Sequence, residues 1–390
     1  MIISDFKSEI SDEFNRILSW WRTHAIDHNG GFYGEINQGN QVIPDADKGG
    51  VLNARILWTF SAAYPITQNP EDLKIAYRAY EYIRDHFIDP EYGGSYWAVA
   101  ADGRVSQNRK QIYAIAFTIY GLSEYYKITN DGHALQLAID LYDAIEKYSF
   151  DKTNNGYFEA FTRDWKLLED LRLSEKDRND PKTMNTHLHI IEAYANLYTV
   201  WKDPKLKHSI QNLLVLFAKH IIDSNGNLIL FFDKDWNRTS KAVSYGHNIE
   251  ASWLLQECAE VLDDPDAIHY WKEKAVTLAE STLYGMQSDG SLIHEYDPEH
   301  HHTQTNREWW VSAEGMVGYL NAYQITGDKR YFKYSFYLWQ FIKQHLLDID
   351  RGEWYWGVHE DYSLRKDYKM GFWKCPYHNT RACIEVIKRL

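Results

Sequence analysis

Apolar residues recur along the chain in two kinds of helical segment. In the first kind they return every three or four positions between polar residues, as Leu73, Ala76, Tyr80 and Ile83 do. This spacing predicts helices with one buried and one exposed face. The six segments of this kind are 12–28, 71–89, 132–150, 204–223, 265–284 and 329–347.

The second kind of segment carries fewer charges and more small residues, which predicts helices that are buried on nearly every side. The two kinds alternate along the whole chain. The six segments of the second kind are 51–64, 112–127, 186–201, 248–262, 311–326 and 376–390.

A glycine followed by aromatic or apolar residues lies between each segment of the first kind and the next segment of the second kind. These turns contain Gly31, Gly94, Gly156, Gly226, Gly290 and Gly352. The steps between them are 63, 62, 70, 64 and 62 residues. So regular a period indicates a repeat protein.

Six repeats, each with one half-exposed and one buried helix, predict an all-α fold. We expect an (α/α)6 barrel, a toroid in which twelve helices alternate between an outer and an inner layer. An open helical solenoid is the alternative, but it would need polar terminal repeats, and here the end repeats are as apolar as the middle ones. Without a linker or a low-complexity segment, residues 1–390 are predicted to form a single domain.

Unusual polar and aromatic residues lie where the predicted inner helices begin. If all the glycine turns lie at one end of the barrel, these helix starts face a common cavity. His247 and Glu250, for example, lie one turn apart on the same helix face. The full set is Arg55, Tyr113, Asn185, His187, His189, His247, Glu250, Glu308, Trp309, Trp310, Glu314, Trp373 and His378.

A single histidine at a helix start is usually a capping or core residue. Histidines at equivalent places in three repeats, at His187, His247 and His378, favour a functional site instead. Arg55 strengthens this interpretation, because a guanidinium inside an apolar helix needs buried partners. The three histidines at 300–302 lie in a polar loop, and we interpret them as solvated.

Three imidazoles around a cavity can bind a metal or transfer protons. His187, His247, His378 and Glu250 could act as ligands, but the chain lacks the short ligand spacings typical of metal sites, so no metal is predicted. Paired acids for glycoside hydrolysis are a second possibility. Imidazoles at helix N-termini tend to stay neutral, which favours proton abstraction.

Composition narrows the class of ligand. The 15 Trp and 29 Tyr residues suit a carbohydrate cleft, and the net charge of −13 argues against nucleic acid and anionic membranes as partners. The N-terminus does not resemble a signal peptide, and no run of 18 apolar residues occurs. Three cysteines without metal spacing indicate reduced thiols. We expect a cytoplasmic monomer or homodimer with a small-molecule substrate.

Four strings carry a resemblance to a known family. They are KTMNTHLH at 182–189, KAVSYGHNIEASW at 241–253, WWV at 309–311 and WKCPYHN at 373–379. On these strings the whole chain resembles the N-acylglucosamine 2-epimerase superfamily, and within it the members that act on β-1,4-linked disaccharides such as cellobiose. The resemblance implies an (α/α)6 barrel that needs no cofactor and inverts C2 of the reducing-end sugar.

The resemblance also implies roles for the histidines. His247 and His378 correspond to the two general acid/base histidines of the family, and His187 to a third essential histidine near the reactive sugar. Proton removal from C2 of the open-chain sugar would give a cis-enediolate. Protonation on the other face would then invert the carbon.

Further residues match the substrate-holding positions of the family. Arg55 corresponds to the arginine that holds the substrate and steadies the intermediate, and Glu250 to the carboxylate paired with the first base. Trp309 and Trp373 correspond to sugar-stacking tryptophans. The chain departs from the family at Asn248, where aspartate is usual.

The substrate remains open at this point. Family members that act on free mannose, as 2-epimerases or as mannose isomerases, share the barrel and the histidines. More distant alternatives are an (α/α)6 glycoside hydrolase and a non-catalytic sugar-binding protein.

Overall fold

The fold consists of two layers of α-helices. The computed structural model describes residues 3–174 and 178–390, and twelve α-helices lie within these ranges. In chain order they are α1 (Ile3–His24), α2 (Gly50–Thr67), α3 (Pro70–Tyr82), α4 (Ile112–Thr129), α5 (Gly132–Ala144), α6 (Met184–Val200), α7 (Pro204–Leu216), α8 (Tyr245–Glu260), α9 (Pro265–Thr282), α10 (Trp309–Thr326), α11 (Lys329–Phe341) and α12 (Tyr377–Arg389).

The even-numbered helices form a closed inner ring. Each of them contacts the next in the series, and α12 contacts α2, which completes the circle. The odd-numbered helices form the outer layer, with α1 against α12 and α3 against α2. Their buried residues lie on one face only, whereas the inner helices are buried on nearly all sides. This closure confirms the predicted (α/α)6 barrel over an open solenoid.

Local sequence signals fix where the outer helices begin and end. Asn69, Asp131, Asp203, Asp264 and Asp328 cap α3, α5, α7, α9 and α11 by accepting hydrogen bonds from N–H groups of the first turn. Four of these helices then continue into a single π-helical turn, and α9 into a 3-10 turn. These final turns are Ile83–Phe87, Ile145–Ser149, Phe217–Ile221, Leu283–Gly285 and Ile342–Leu346.

Short antiparallel strands hold the starts of the inner helices. They are β1 (Lys48–Gly49), β2 (Ala98–Val99), β3 (Val105–Gln107), β4 (Lys110–Gln111), β5 (Ala160–Phe161), β6 (Lys182–Thr183), β7 (Phe231–Phe232), β8 (Val243–Ser244), β9 (Glu295–Asp297), β10 (His302–Gln304), β11 (Arg307–Glu308) and β12 (Gly357–Val358). The pairings are β1–β2–β3, β4–β5, β6–β7, β8–β9–β10 and β11–β12. In each case the strand before an inner helix pairs with the strand that follows the next glycine turn. Five inner helices therefore begin at one end of the barrel.

Buried lysine–aspartate pairs hold four of the glycine turns, and we call them turn clamps. They are Lys48–Asp27 at 2.7 Å, Lys110–Asp89 at 2.8 Å, Lys182–Asp151 at 2.8 Å and Lys369–Asp348 at 2.7 Å. Three of the lysines lie in the strands β1, β4 and β6, and Lys369 lies in the loop after β12. Each clamp gives a buried lysine an anionic partner, as buried charges require, and Asp89 also accepts hydrogen bonds from Arg163.

The fourth glycine turn is held by an amide instead. Asn248, on the first turn of α8, accepts a hydrogen bond from the backbone N–H of Leu228 at 2.9 Å and donates one to Asn227 Oδ1 at 2.9 Å. An amide can make both bonds because it carries a donor and an acceptor, whereas an ionised aspartate could only accept. Asn248 therefore ties the first turn of α8 to the turn at Gly226.

The predicted helices agree with the structure in number and order. With their final turns included, eleven of the twelve match within three residues at each end. The exception is α1, which begins at Ile3 rather than at residue 12. In the part of the chain that the structure describes, no helix is long and apolar enough to cross a lipid bilayer.

Candidate active site

A cavity of about 200 Å³ opens between the starts of α6 and α8. Asn185, His247 and Trp310 line it, and so does His294, which precedes β9. Leu171, from the loop before β6, also contributes to its wall. The cavity therefore lies at the end of the barrel where the sequence predicted the site.

His247 lies on the first turn of α8 and borders this cavity. Its Nδ1 is 2.7 Å from the hydroxyl of Ser244, the residue that caps the helix. Its Nε2 makes no hydrogen bond to any described residue, and the ring packs against Trp310 with centroids 4.9 Å apart. Burial, together with the neighbouring His294 and other histidines, lowers the pKa of His247 well below its usual value. The imidazole is therefore neutral at pH 7.

His378 approaches the same region from the first turn of α12. Its Nδ1 donates a hydrogen bond to Glu314 Oε1 at 2.6 Å, which leaves Nε2 with the lone pair. Burial lowers the pKa of His378 to about 3, even though Glu314 acts in the opposite direction. The ring also lies 5.8 Å from Trp310, so two neutral imidazoles from different repeats border one indole.

His187 occupies a different environment. Its Nδ1 bonds the carbonyl of Thr183 at 2.6 Å, and its Nε2 accepts a hydrogen bond from the N–H of Tyr157 at 2.9 Å. Both ring nitrogens are therefore used by the backbone, and the ring packs against Trp236. These bonds anchor the turn at Gly156. The catalytic role of His187 stays a prediction.

His189, two residues further along α6, lies at the inner face of the barrel. Its Nδ1 is 2.8 Å from Glu192 Oε2, and its ring meets Tyr113 edge to face with centroids 4.9 Å apart. Burial lowers the pKa of His189 although Glu192 opposes the change. Its charged form would lower the pKa of His247. His189, unlike His187, is therefore one of the imidazoles near His247, together with His294 and His378.

Three buried carboxylates surround Arg381, and we call this group the carboxylate cluster. Arg381 Nη2 donates to Glu250 at 2.8 Å and to Glu314 at 2.6 Å, and Nη1 donates to Glu192. Tyr377 also donates to Glu192, at 2.5 Å. The cluster connects the partners of His189 and His378 through one guanidinium.

Two carboxyl groups of the carboxylate cluster, Glu250 and Glu314, differ in their pKa values. Burial and the neighbouring Glu314 raise the pKa of Glu250 to about 8. Burial would also raise the pKa of Glu314, but Arg381 and then His378 more than offset this and lower it to about 2. At neutral pH, Glu314 is therefore ionised while Glu250 retains its proton.

Glu250 does not pair with His247, although the sequence spacing predicted that contact. Its carboxyl group bonds Arg381, and its nearest imidazole nitrogen is Nδ1 of His378, at 3.9 Å. The first base is held by the hydroxyl of Ser244 instead. The two side chains leave the same helix turn but point toward different neighbours.

Glu250, Glu314 and His378 bring ligand atoms within 4.8 Å of one another. Arg381 already donates to both carboxyl groups, so a metal ion would have to compete with this guanidinium for the same oxygens. The arrangement fits a guanidinium better than a divalent cation. That no metal is needed stays a prediction.

Arg55 projects from α2 toward the same centre. Its Nη2 donates to the hydroxyl of Tyr113 at 2.9 Å, and its guanidinium lies over the rings of Phe117 and Tyr377, at 4.1 and 4.7 Å. Its Nε is buried and has no hydrogen-bond partner among the described residues. One donor of a fixed cation therefore has no acceptor among the described residues.

The predicted tryptophans take different positions. Trp310 donates from Nε1 to Glu308 Oε2 at 2.8 Å and borders the cavity. Trp309 is buried, with its centroid 4.5 Å from that of Trp356. Trp373 is only partly buried. Trp310 and Trp373 are therefore better placed than Trp309 to stack on a ligand.

Comparison with known protein families identifies the family of this chain. The family described as N-acylglucosamine 2-epimerase (GlcNAc 2-epimerase) matches residues 31–382. The chain belongs to this family. The match spans all six glycine turns, so the resemblance predicted from four short strings is confirmed over most of the chain.

Individual members of the N-acylglucosamine 2-epimerase family are similar to the whole chain. Cellobiose 2-epimerase of Bacteroides fragilis is 49% identical over 385 residues, which cover 98% of each chain. That of Dictyoglomus turgidum is 40% identical over 393 residues and covers 100% of both. The solved cellobiose 2-epimerase of Bacillus thermoamylovorans B4167 is 39% identical, with a TM-score of 0.95 over 99% of this chain and 100% of that one. The (α/α)6 fold agrees with this neighbour.

Proposed function

We propose that the protein is a cellobiose 2-epimerase, which inverts C2 of the reducing-end glucose in β-1,4-linked disaccharides. It would convert cellobiose to glucosyl-mannose and act on lactose and mannobiose in the same way. The observation that carries the proposal is the pair His247 and His378, two neutral imidazoles from different repeats beside one indole. Similarity to cellobiose 2-epimerases over nearly the whole chain supports it.

The reaction begins with opening of the sugar ring, because the C2 proton becomes acidic only beside a carbonyl group. Ring opening removes a proton from the anomeric hydroxyl group and adds one to the ring oxygen. His189, held by Glu192 next to Tyr113, is suited to this step. We therefore assign to His189 the third catalytic position that the sequence had suggested for His187.

One histidine then removes the C2 proton and becomes an imidazolium, while the other enters the step as an imidazolium and delivers its proton to the opposite face. Each histidine is the base in one direction of the reversible reaction. His247 and His378 each keep Nε2 unbonded within the described chain, and both have depressed pKa values, so both can accept a proton at pH 7. The two helices that carry them, α8 and α12, belong to different repeats. Rotation about C2–C3 of the intermediate would present its second face to the second base.

The cis-enediolate formed between these steps is negatively charged. Arg55 is buried, stays charged and has a donor without a protein partner, so it is suited to stabilise this charge. Tyr113, Asn185, Trp310 and Trp373 complete the proposed substrate-binding set. Asn185 has a buried Oδ1 without a hydrogen-bond partner among the described residues.

Similarity to cellobiose 2-epimerases favours a disaccharide over free mannose. From His247 the cavity reaches past Asn185 to Leu171, in the loop before β6, so a second sugar unit would lie on the side of Leu171.

Incubation with cellobiose, followed by sugar chromatography, tests the function. An epimerase yields glucosyl-mannose, a glycoside hydrolase yields glucose, an isomerase yields a ketose, and a binding protein yields no product. Incubation with mannose in parallel tests the monosaccharide alternative. Cleavage to glucose, or conversion of mannose alone, would contradict the proposal.

Four further properties are proposed. Because α12 contacts both α1 and α2, residues 1–390 are taken to work as one domain. The three cysteines are free and buried, in keeping with a reducing, cytoplasmic location, and the protein is taken to be a monomer or homodimer. No cofactor or metal should be required, and full activity after dialysis against EDTA would support this.

A further inference from the structure

One residue after each glycine turn occupies an equivalent place in five repeats, and we call these the turn-end residues. The carbonyl group of each accepts a hydrogen bond from the first N–H of an inner helix, at 2.9 to 3.0 Å. They are Trp97, Glu159, Leu230, His294 and Trp356. Each is therefore fixed beside the start of an inner helix, where the site lies.

Side chains of the turn-end residues face the mouth of the barrel. Glu159, Leu230 and His294 line the cavity, and Trp97 and Trp356 pack against Trp373 and Trp309. His294 is the imidazole among them. Its carbonyl group accepts from Tyr245 N at 3.0 Å, two residues before His247, so both imidazoles belong to one rigid unit.

Trp310 orients the ring of His294, but neither ring nitrogen makes a hydrogen bond to a described residue. The ring meets Trp310 edge to face, with centroids 5.3 Å apart, on the indole that also contacts His247. Its Nδ1 lies 3.3 Å from Glu308 Oε2 without the alignment of a hydrogen bond. No described residue bonds its Nε2. A residue whose only task was packing would not need a polar ring here.

Glu308 favours one tautomer of the His294 ring. Its carboxylate accepts hydrogen bonds from Trp310 Nε1 at 2.8 Å and from Arg365, which holds it in place. A carboxylate can only accept, so the proton of a neutral His294 resides on Nδ1, next to Glu308. Nε2 is then left as a hydrogen-bond acceptor at the cavity wall.

We propose that His294 is a substrate-binding residue, whose Nε2 accepts a hydrogen bond from a hydroxyl group of the sugar that reacts at His247. The inference rests on the proposed epimerase function and adds a residue to it. His294 neither removes nor returns the C2 proton. It holds the reactive sugar against the wall formed by Trp310.

Two substitutions test this role in the full-length enzyme. His294→Phe keeps a ring against Trp310 but removes the acceptor, and it should lower kcat/KM for cellobiose about 2- to 10-fold, mainly through KM. His294→Gln restores an acceptor and should recover part of the loss. His345→Phe is the matched control, because His345 stacks on Tyr362 outside the cavity, and it should leave both constants unchanged.

Deoxy-cellobioses, each lacking one hydroxyl of the reducing sugar, identify the bonded group. Removal of the hydroxyl that bonds His294 should lower kcat/KM of the wild-type enzyme. The same removal should lower kcat/KM of His294→Phe little further. Equal losses in both enzymes for every analogue, or a folded His294→Phe with wild-type KM, would overturn the inference. Failure of the wild-type enzyme to epimerise cellobiose would instead contradict the proposed function.

Discussion

Buried charges occur in two regions of this barrel, and the two regions differ in the ratio of cationic to anionic groups. In each turn clamp one lysine meets one aspartate, as in Lys369–Asp348. In the carboxylate cluster three carboxyl groups share the single guanidinium of Arg381. The clamps lie at the glycine turns, and the cluster lies beside His378.

This difference distinguishes ion pairs that stabilise the fold from charged groups that take part in the chemistry of the site. A balanced pair has little reason to titrate near neutral pH, and the pKa of Asp348 is lowered because the lysine and other donors outweigh its burial. An unbalanced cluster must hold a proton somewhere, and Glu250 holds it. Perturbed groups of this kind are typical of functional sites.

The largest effect is expected at the imidazoles themselves. His247→Asn or His378→Asn should each lower kcat for epimerisation of cellobiose by about 10²- to 10⁴-fold, because each removes one proton-transfer group. The turn clamps are untouched, so stability should change little. Sugar chromatography measures the loss.

Deuterium exchange distinguishes the two bases. In D₂O each variant keeps one base, so each should label C2 of a different epimer, the glucose type or the mannose type, as NMR of the recovered sugar would show. Labelling of the same epimer by both variants would indicate a single mobile base and contradict the two-base scheme.

The next effect is on stability alone. Lys369→Met leaves Asp348 buried without its cation, and it should lower the free energy of unfolding by about 3–5 kcal/mol. At temperatures where the variant is folded, kcat should remain near that of the wild type. Denaturant unfolding and steady-state kinetics measure the two quantities.

An exposed pair provides the control for this clamp. Lys74 bonds Glu71 at the surface, and Lys74→Met should cost less than about 1 kcal/mol. If both substitutions lowered the free energy of unfolding equally, burial would not make the clamp more stabilising than the exposed pair.

The fold could be predicted because it is encoded many times over. Six copies of one helix pattern and six glycine turns each point to the same architecture, so a misplaced boundary such as that of α1 has no effect on the conclusion. The short strands were missed, since two or three residues are too few to show a period. The clamps were missed because Lys48 and Asp27 are 21 residues apart in sequence.

The site was predicted in location but not in every contact. Helix spacing alone cannot tell which of His187 and His189 faces the cavity, because neighbouring elements decide where a buried ring finds its partners. Arg381 carried a weaker signal than Arg55, because α12 is rich in polar residues; only its position, one turn after His378 on a predicted inner helix, could have marked it. Its three carboxylate partners come from three other helices, which no local pattern reveals.

The carboxylate cluster predicts different effects for two chemically identical substitutions. Glu314→Gln removes the anion that orients His378, and it should lower kcat about 10-fold or more. Glu250→Gln replaces a carboxyl group that is already neutral at pH 7, so kcat should fall less than about 3-fold. Equal losses in the two variants, measured at pH 7, would contradict the assigned protonation states.

The smallest effect is a slope in stability with pH. The pKa of Glu250 in the folded protein, about 8, lies above its ordinary value of 4.5, so the folded state binds this proton more tightly than the unfolded state. The contribution to stability is complete below about pH 4.5 and is lost as pH rises toward 8. Glu250→Gln cannot lose it, because an amide does not titrate in this range.

The free energy of unfolding of the wild type, minus that of Glu250→Gln, should therefore fall between pH 5 and pH 8. The slope can reach about 1.4 kcal/mol per pH unit for one proton. The lowered pKa of His378 acts in the opposite direction, since stability then rises with pH up to about 6.5, but it is common to both proteins. The turn clamps add no slope here, because Asp348 stays ionised throughout. Parallel curves in denaturant titrations at pH 5, 6, 7 and 8 would show that Glu250 is not the group that holds the proton, and that the excess charge of the cluster is relieved elsewhere.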